Sequence, residues 1–101
     1  MDERHFQFEW NEAKAAANLR KHGVSFELAC TVFNDARLLT LADLEHSDIE
    51  ERWFSIGFAS NGALLCIVYL WSEIDPTTTK IRLLSARKVT YNEMRQYQES
   101  L

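Results

Sequence analysis

Lys80-Ile-Arg-Leu-Leu-Ser-Ala-Arg-Lys88 sets four cationic side chains into a segment that otherwise reads as a core strand. An arginine is rarely buried without a partner, so two in one apolar strand are either paired to carboxylates or aimed at an anion. The guanidinium fork suits a phosphate, whose oxygens it grips through two parallel hydrogen bonds. Strand alternation puts Arg82 on the face of Lys80, Leu84 and Ala86, opposite Ile81 and Leu83. If Ile81 and Leu83 meet a helical layer, Arg82 stands on the open face; the alternative is a salt bridge to an acidic residue of a neighbouring strand. Regular alternation places Arg87 with Ile81, and a kink before Thr90 would free it. Otherwise it donates to carbonyls at the strand–helix junction or bonds the Glu50–Glu51 pair.

Further candidates lie upstream. Glu51 and Arg52 open a strand and either flank Arg82 across a sheet or orient each other; Glu51 serves as a base only if it is buried. His46, between Glu45 and Asp48, has the flanking carboxylates that tighten an imidazolium's hold on its proton, which suits a general acid, or it is a solvated loop histidine. Lys21 and His22 close a helix, where the macrodipole alone accounts for them. Tyr97 reads as core with its hydroxyl at the rim, or as a base-stacking platform. His22 and His46 have no third ligand at metal spacing, so neither metal nor cofactor is expected.

The elements that must position these groups follow from periodicity. His5 to Trp10 alternates as a half-buried strand with Phe6, Phe8 and Trp10 on one face. Asn11 caps a helix that Gly23 ends, and Ser25 caps a second with Phe26, Ala29, Cys30 and Phe33 on its buried face. A short strand from Arg37 to Leu41 leads into an acidic loop from Ala42 to Glu50. Arg52 to Ala59 and Leu64 to Trp71 flank Asn61-Gly62, a strong hairpin signal, and the second strand is apolar on both faces. Ser72 to Thr79 reads as a polar connection and Lys80 to Ala86 as the returning strand. Thr90 and Glu93 form a capping box for a last helix with Tyr91, Met94, Tyr97 and Leu101 inward, and Val89 and Met94 make its staple. The sum is an α+β domain over residues 1–101, in the order β-α-α-β-β-β-β-α, with a small antiparallel sheet and helices on one face.

Composition narrows the function. The chain has 101 residues, 47% of them hydrophobic, and a formal net charge of −4. That balance opposes a free-standing nucleic-acid binder, and no helix carries a basic base-reading face. Charge is nevertheless segregated: Lys80 to Arg95 is basic and Asp43 to Glu51 acidic. Cys30 and Cys66 lie in core patterns without ligand spacing, which reads as a reduced, cytoplasmic protein. No apolar run is long enough to span a bilayer.

With Phe8-Glu-Trp-Asn-Glu-Ala-Lys14, Asn18-Leu-Arg-Lys-His-Gly-Val-Ser-Phe26, Glu45-His-Ser47, Glu50-Glu-Arg-Trp53 and Ile81-Arg-Leu-Leu-Ser-Ala-Arg87 in this order, the chain resembles the BrnT family. These are toxins of type II toxin–antitoxin modules, and the family is similar to RelE-like proteins in fold. The resemblance implies a metal-independent endoribonuclease that cuts RNA by 2′-hydroxyl attack and inhibits translation. It also implies a ribbon-helix-helix antitoxin (BrnA-like) encoded nearby, which carries the DNA contact. Carried onto this sequence, Arg82, Arg87 and Arg52 would stabilise the phosphate and His46 or Glu51 would move protons. Lys80, Lys88, Tyr97 and Lys21 would bind substrate. The chain departs from the pattern at Tyr69, where many members have histidine. The alternative reading is a catalytically inactive domain that acts only through its antitoxin complex.

Overall fold

Phe6 and Phe8 alternate with Gln7 and Glu9 along β1 (His5–Glu9), as a strand with one apolar face requires. The computed structural model describes residues 5–43 and 51–101. After β1 come α1 (Glu12–His22) and α2 (Phe26–Cys30), then a 3-10 turn over Thr31–Asn34. Four strands follow, β2 (Leu39–Ala42), β3 (Arg52–Phe58), β4 (Leu64–Asp75) and β5 (Thr78–Lys88), and α3 (Tyr91–Glu99) closes the chain. The expected caps form. Asn11 accepts from the Lys14 N–H and Ser25 from the Leu28 N–H, and Thr90 and Glu93 complete a reciprocal box. Gly23 ends α1 in the left-handed conformation at φ 70°.

The α+β class and the element order hold, with two changes to the arrangement. The five-stranded sheet has the order β1-β5-β4-β3-β2 and is mixed, because β1 runs parallel to β5. Alternation in β1 fixes which face it buries but not its direction. Second, the helices lie on both faces. Phe26 and Ala29 of α2 pack with Ile67, Ile81 and Leu83 on the first face. Tyr97 of α3 packs with Ile56 and Cys66 on the second, alongside Phe54, Leu39 and Val89. An apolar row on both faces of β3 and β4 needs cover on both sides. Within α3, Tyr97 alone is buried, and Tyr91 and Leu101 are exposed rather than inward-facing.

The polar Ser72–Thr79 segment is not a loop. β4 and β5 run on through it to a tight turn at Pro76-Thr77, where Asp75 Oδ1 accepts from the N–H and hydroxyl of Thr77. Residues 72–77 are exposed, as strand ends lying beyond the helical cover are, whereas Thr79 is buried.

β5 carries the decisive irregularity. Val68 pairs with Ser85 but Tyr69 pairs with Leu83, leaving Leu84 as an extra residue, a β-bulge. The bulge reverses the alternation, so Ala86 is buried with Leu83 and Ile81, not on the Arg82 face. By the same step Arg87 moves to the face of Arg82 and Lys80. Beyond Arg82, β1 no longer covers the outer edge of β5. The buried Asn18 carboxamide takes over there, donating to the Ala86 carbonyl at 2.8 Å and accepting from its N–H at 3.1 Å. It also donates to the Val24 carbonyl at 2.9 Å, which ties the end of α1 to the sheet. Gly57 is required by a close approach, since a Cβ there would lie 2.8 Å from Leu38 Cδ1 and 2.9 Å from Val32 Cγ1.

Asn18→Leu keeps the volume and strands three buried backbone groups. It is expected to cost about 3 kcal/mol in urea unfolding with an unchanged m-value. A loss below about 1 kcal/mol would show that the amide clip does not hold this edge.

Candidate functional site

Among the described residues, the second face of the sheet is only half covered. Register aligns Glu9, Arg82, Leu70 and Arg52 in one row across β1, β5, β4 and β3. The rows beyond it, toward Ser85 and Cys66, pass under α3. On the uncovered side lies a cleft of about 320 Å³, lined by Glu9, Glu51, Leu70, Trp71, Ser72, Lys80 and Arg82. Leu70 gives it an apolar floor, while two cations and two carboxylates give it polar groups of both signs.

Arg82 projects onto this open face, as alternation requires, and also forms the salt bridge that was its alternative. Its Nη1 donates to Glu9 Oε1 at 3.1 Å, and Lys80 Nζ stands 3.8 Å from the same oxygen. Arg82 and Glu9 keep 41% and 40% of their side-chain surface exposed. An ion pair that open to water contributes about 0–1 kcal/mol, so an incoming anion displaces little by competing for it. Glu51 lines the cleft just before β3, where its carbonyl accepts from the Trp71 N–H at 3.1 Å, but it is exposed and so lacks the burial that its role as a base requires. Arg52 is half-buried in the same row as Arg82, with Leu70 between them. His46 lies outside the described residues.

Arg87 shares the face of Arg82 but not the cleft. Its Nη1 and Nη2 donate to both carboxylate oxygens of Glu93 at 2.7 and 2.8 Å, and Nη1 also donates to the Lys88 carbonyl at 3.2 Å. The bond to a junction carbonyl is the expected one; the acidic partner is Glu93 and not Glu51, while Glu50 lies outside the described residues. These bonds hold the Glu93 carboxyl down, from the ordinary 4.5 to about 2, against burial, which raises it. The same bonds raise Arg87. The pair latches β5 to the first turn of α3.

The remaining candidates are dispersed. Lys88 is exposed at the end of β5, and Lys21 is exposed on α1, which packs on the other face of the sheet. Tyr97 is core: its ring meets Phe58 edge-on at 5.5 Å and its hydroxyl donates to Asp35 Oδ2 at 2.7 Å. Burial and then the Asp35 charge raise its pKa, which weakens it as an acid. Asp35 is held below the carboxylate range, despite burial, by the N–H groups of Phe58 and Arg37 and by this hydroxyl. Tyr69 is buried on the first face, its hydroxyl 2.7 Å from Ser55 Oγ, so it does not face the cleft. Burial raises both thiols, Cys30 and Cys66, to about 11.

Glu9 and Glu93 were missed as partners of the two arginines. Alternation already placed Glu9 opposite Phe6 and Phe8, but pairing it with Arg82 needs the parallel contact between strands far apart in sequence. Among the described residues no group of three or more His, Cys, Asp or Glu side chains has the arrangement of a metal site.

The Glu93 carboxylate binds its proton more readily in the unfolded chain. Its stabilisation is therefore complete above about 4.5 and is lost as pH falls toward about 2. Glu93→Gln is expected to lower the melting temperature at neutral pH, with the gap from the parent closing across that interval. A gap that stayed constant with pH would show that the latch carries no ionic stabilisation.

Residues 10–93 match the family model described as the ribonuclease toxin BrnT of type II toxin–antitoxin systems. The fold is similar to that in the crystal structure of the Brucella abortus ribonuclease toxin BrnT. That match has a TM-score of 0.51 and 16% identity, covering 85% of this chain and 97% of that one. No curated protein sequence matches the chain.

Proposed function

This chain belongs to the BrnT family of ribonuclease toxins of type II toxin–antitoxin systems, and on that premise we propose that its half-open sheet face cleaves RNA. The supporting observation is Arg82, presented half-exposed on a cleft beside Lys80, with carboxylates within the same cleft. Such a cleft has the parts for transesterification. Arg82 grips the non-bridging phosphate oxygens as charge builds on them, and Lys80 adds a second fixed charge. Arg52, in the same row, supports the field. The 2′-oxygen bonds to phosphorus and the bond to the 5′-oxygen breaks, giving a cyclic phosphate and a free 5′-hydroxyl. A carboxylate of the cleft takes the 2′-hydroxyl proton, and His46 protonates the departing oxygen. These steps need side chains alone, and in this reading no metal takes part. Arg87 acts at one remove by fixing the end of β5, and Lys88 and Lys21 do not line the cleft.

In this reading the protein is a cytoplasmic endoribonuclease that stops translation by cutting RNA. A type II toxin has an antitoxin partner. We assign it the ribbon-helix-helix class, with promoter DNA bound through the antitoxin and not by this acidic chain. No helix among the described residues is long and apolar enough to cross a membrane.

A second reading is favoured by the net charge of −4 and by the Arg82–Glu9 pair. In it the cleft is closed to RNA, and the domain works only as the partner of its antitoxin.

Arg82→Ala is expected to reduce cleavage of single-stranded RNA by the purified protein by about 10²–10³-fold, with the melting temperature little changed. Cleavage at the parent rate would contradict the cleft assignment. A parent protein that cuts no RNA, even with ribosomes present, would favour the second reading.

A further inference from the structure

Glu9 is the carboxylate that both cleft cations hold, and their contacts converge on a single oxygen. Arg82 Nη1 lies 3.1 Å and Lys80 Nζ 3.8 Å from Oε1. Parallel pairing of β1 with β5 puts Glu9 directly beside Arg82 in register, at the wall of the cleft. The other carboxylate of the cleft, Glu51, precedes β3, which is separated from β5 by β4. Glu9 is thus the carboxylate adjacent to the phosphate clamp.

Resting on the RNA-cleavage reading above, we propose that Glu9 is the general base that takes the 2′-hydroxyl proton. In RNA the attacking 2′-oxygen and the non-bridging oxygens converge on one phosphorus. A base for the first therefore stands close to a group that holds the second. Glu9 meets that condition through its bond to Arg82, which engages Nη1 of a guanidinium with five N–H donors. A carboxylate anchored through Oε1 is oriented and presents Oε2 to the proton. As Oε2 takes the proton, the 2′-oxygen bonds to phosphorus and the 5′-oxygen departs with a proton from the general acid. Glu9 then releases its proton to solvent. Glu51 is left to shape the cleft.

The test is single-turnover cleavage of a mixed-sequence single-stranded RNA, with binding measured separately on the 2′-deoxy analogue. Glu9→Gln keeps an acceptor for Arg82 and is expected to lose about 10²-fold or more in rate with little change in binding. Glu9→Ala is expected to lose rate similarly and to regain part of it when formate is added, which a purely structural role would not produce. Glu9→Gln cutting within a few-fold of the parent while Arg82→Ala is inactive would overturn the role of Glu9 and leave the cleft standing. Equal losses of rate and binding, without formate rescue, would reduce Glu9 to a structural partner and overturn the proposal as well. An active Arg82→Ala would remove the cleft reading and Glu9 with it.

Discussion

The structure depends on a constraint that β5 must satisfy along its whole length. One face must bury Ile81, Leu83 and Ala86 against a helical layer, while the other presents Lys80, Arg82 and Arg87. Strict alternation cannot do this, since Arg82 and Arg87 are an odd number of residues apart. The bulge at Leu84 resolves the conflict by absorbing one residue. It keeps every guanidinium out of the first-face core, where an unpaired charge would be costly. The two arginines then diverge in role because α3 covers only one end of the second face.

The helix and the cleft are linked through that end. Arg87 and Glu93 bind α3 over Ile56 and Cys66, and Tyr97 reaches Asp35 at the far side. Asp35 in turn accepts from the Phe58 N–H at 2.9 Å, so α3 is fastened to the sheet and to the 3-10 segment together. What α3 leaves uncovered is the row Glu9, Arg82, Leu70 and Arg52. The cleft is the part of a two-sided sheet for which the described residues supply no second-face cover.

Most of the element order was legible because caps, the Asn-Gly turn and period-2 runs are local signals. The position of Arg82 was legible for the same reason: its neighbours Ile81 and Leu83 had to be buried. Arg87 was not, because a bulge has no reliable signature in Leu83-Leu84-Ser85, and one inserted residue inverts everything after it. The second-face position of α3 had a signal in β4, which is apolar on both sides, but which helix supplies the cover is a tertiary matter. Glu9 is the clearest case. Its side of β1 could be read from Phe6 and Phe8, yet its partner is set by a parallel pairing 73 residues along the chain.

The central claim is that the uncovered row, and not the basic ends of α1 or β5, is where RNA phosphate sits. The most direct test is an NMR titration of the isotope-labelled protein with a non-cleavable 2′-O-methyl RNA, following backbone amides and arginine side-chain signals. The account predicts saturable shifts concentrated on Glu9, Glu51, Leu70, Lys80 and the Arg82 side chain, with Lys21 and Lys88 nearly still. Shifts confined to α1 or to the end of β5, with the Arg82 side chain unmoved at saturation, would contradict it.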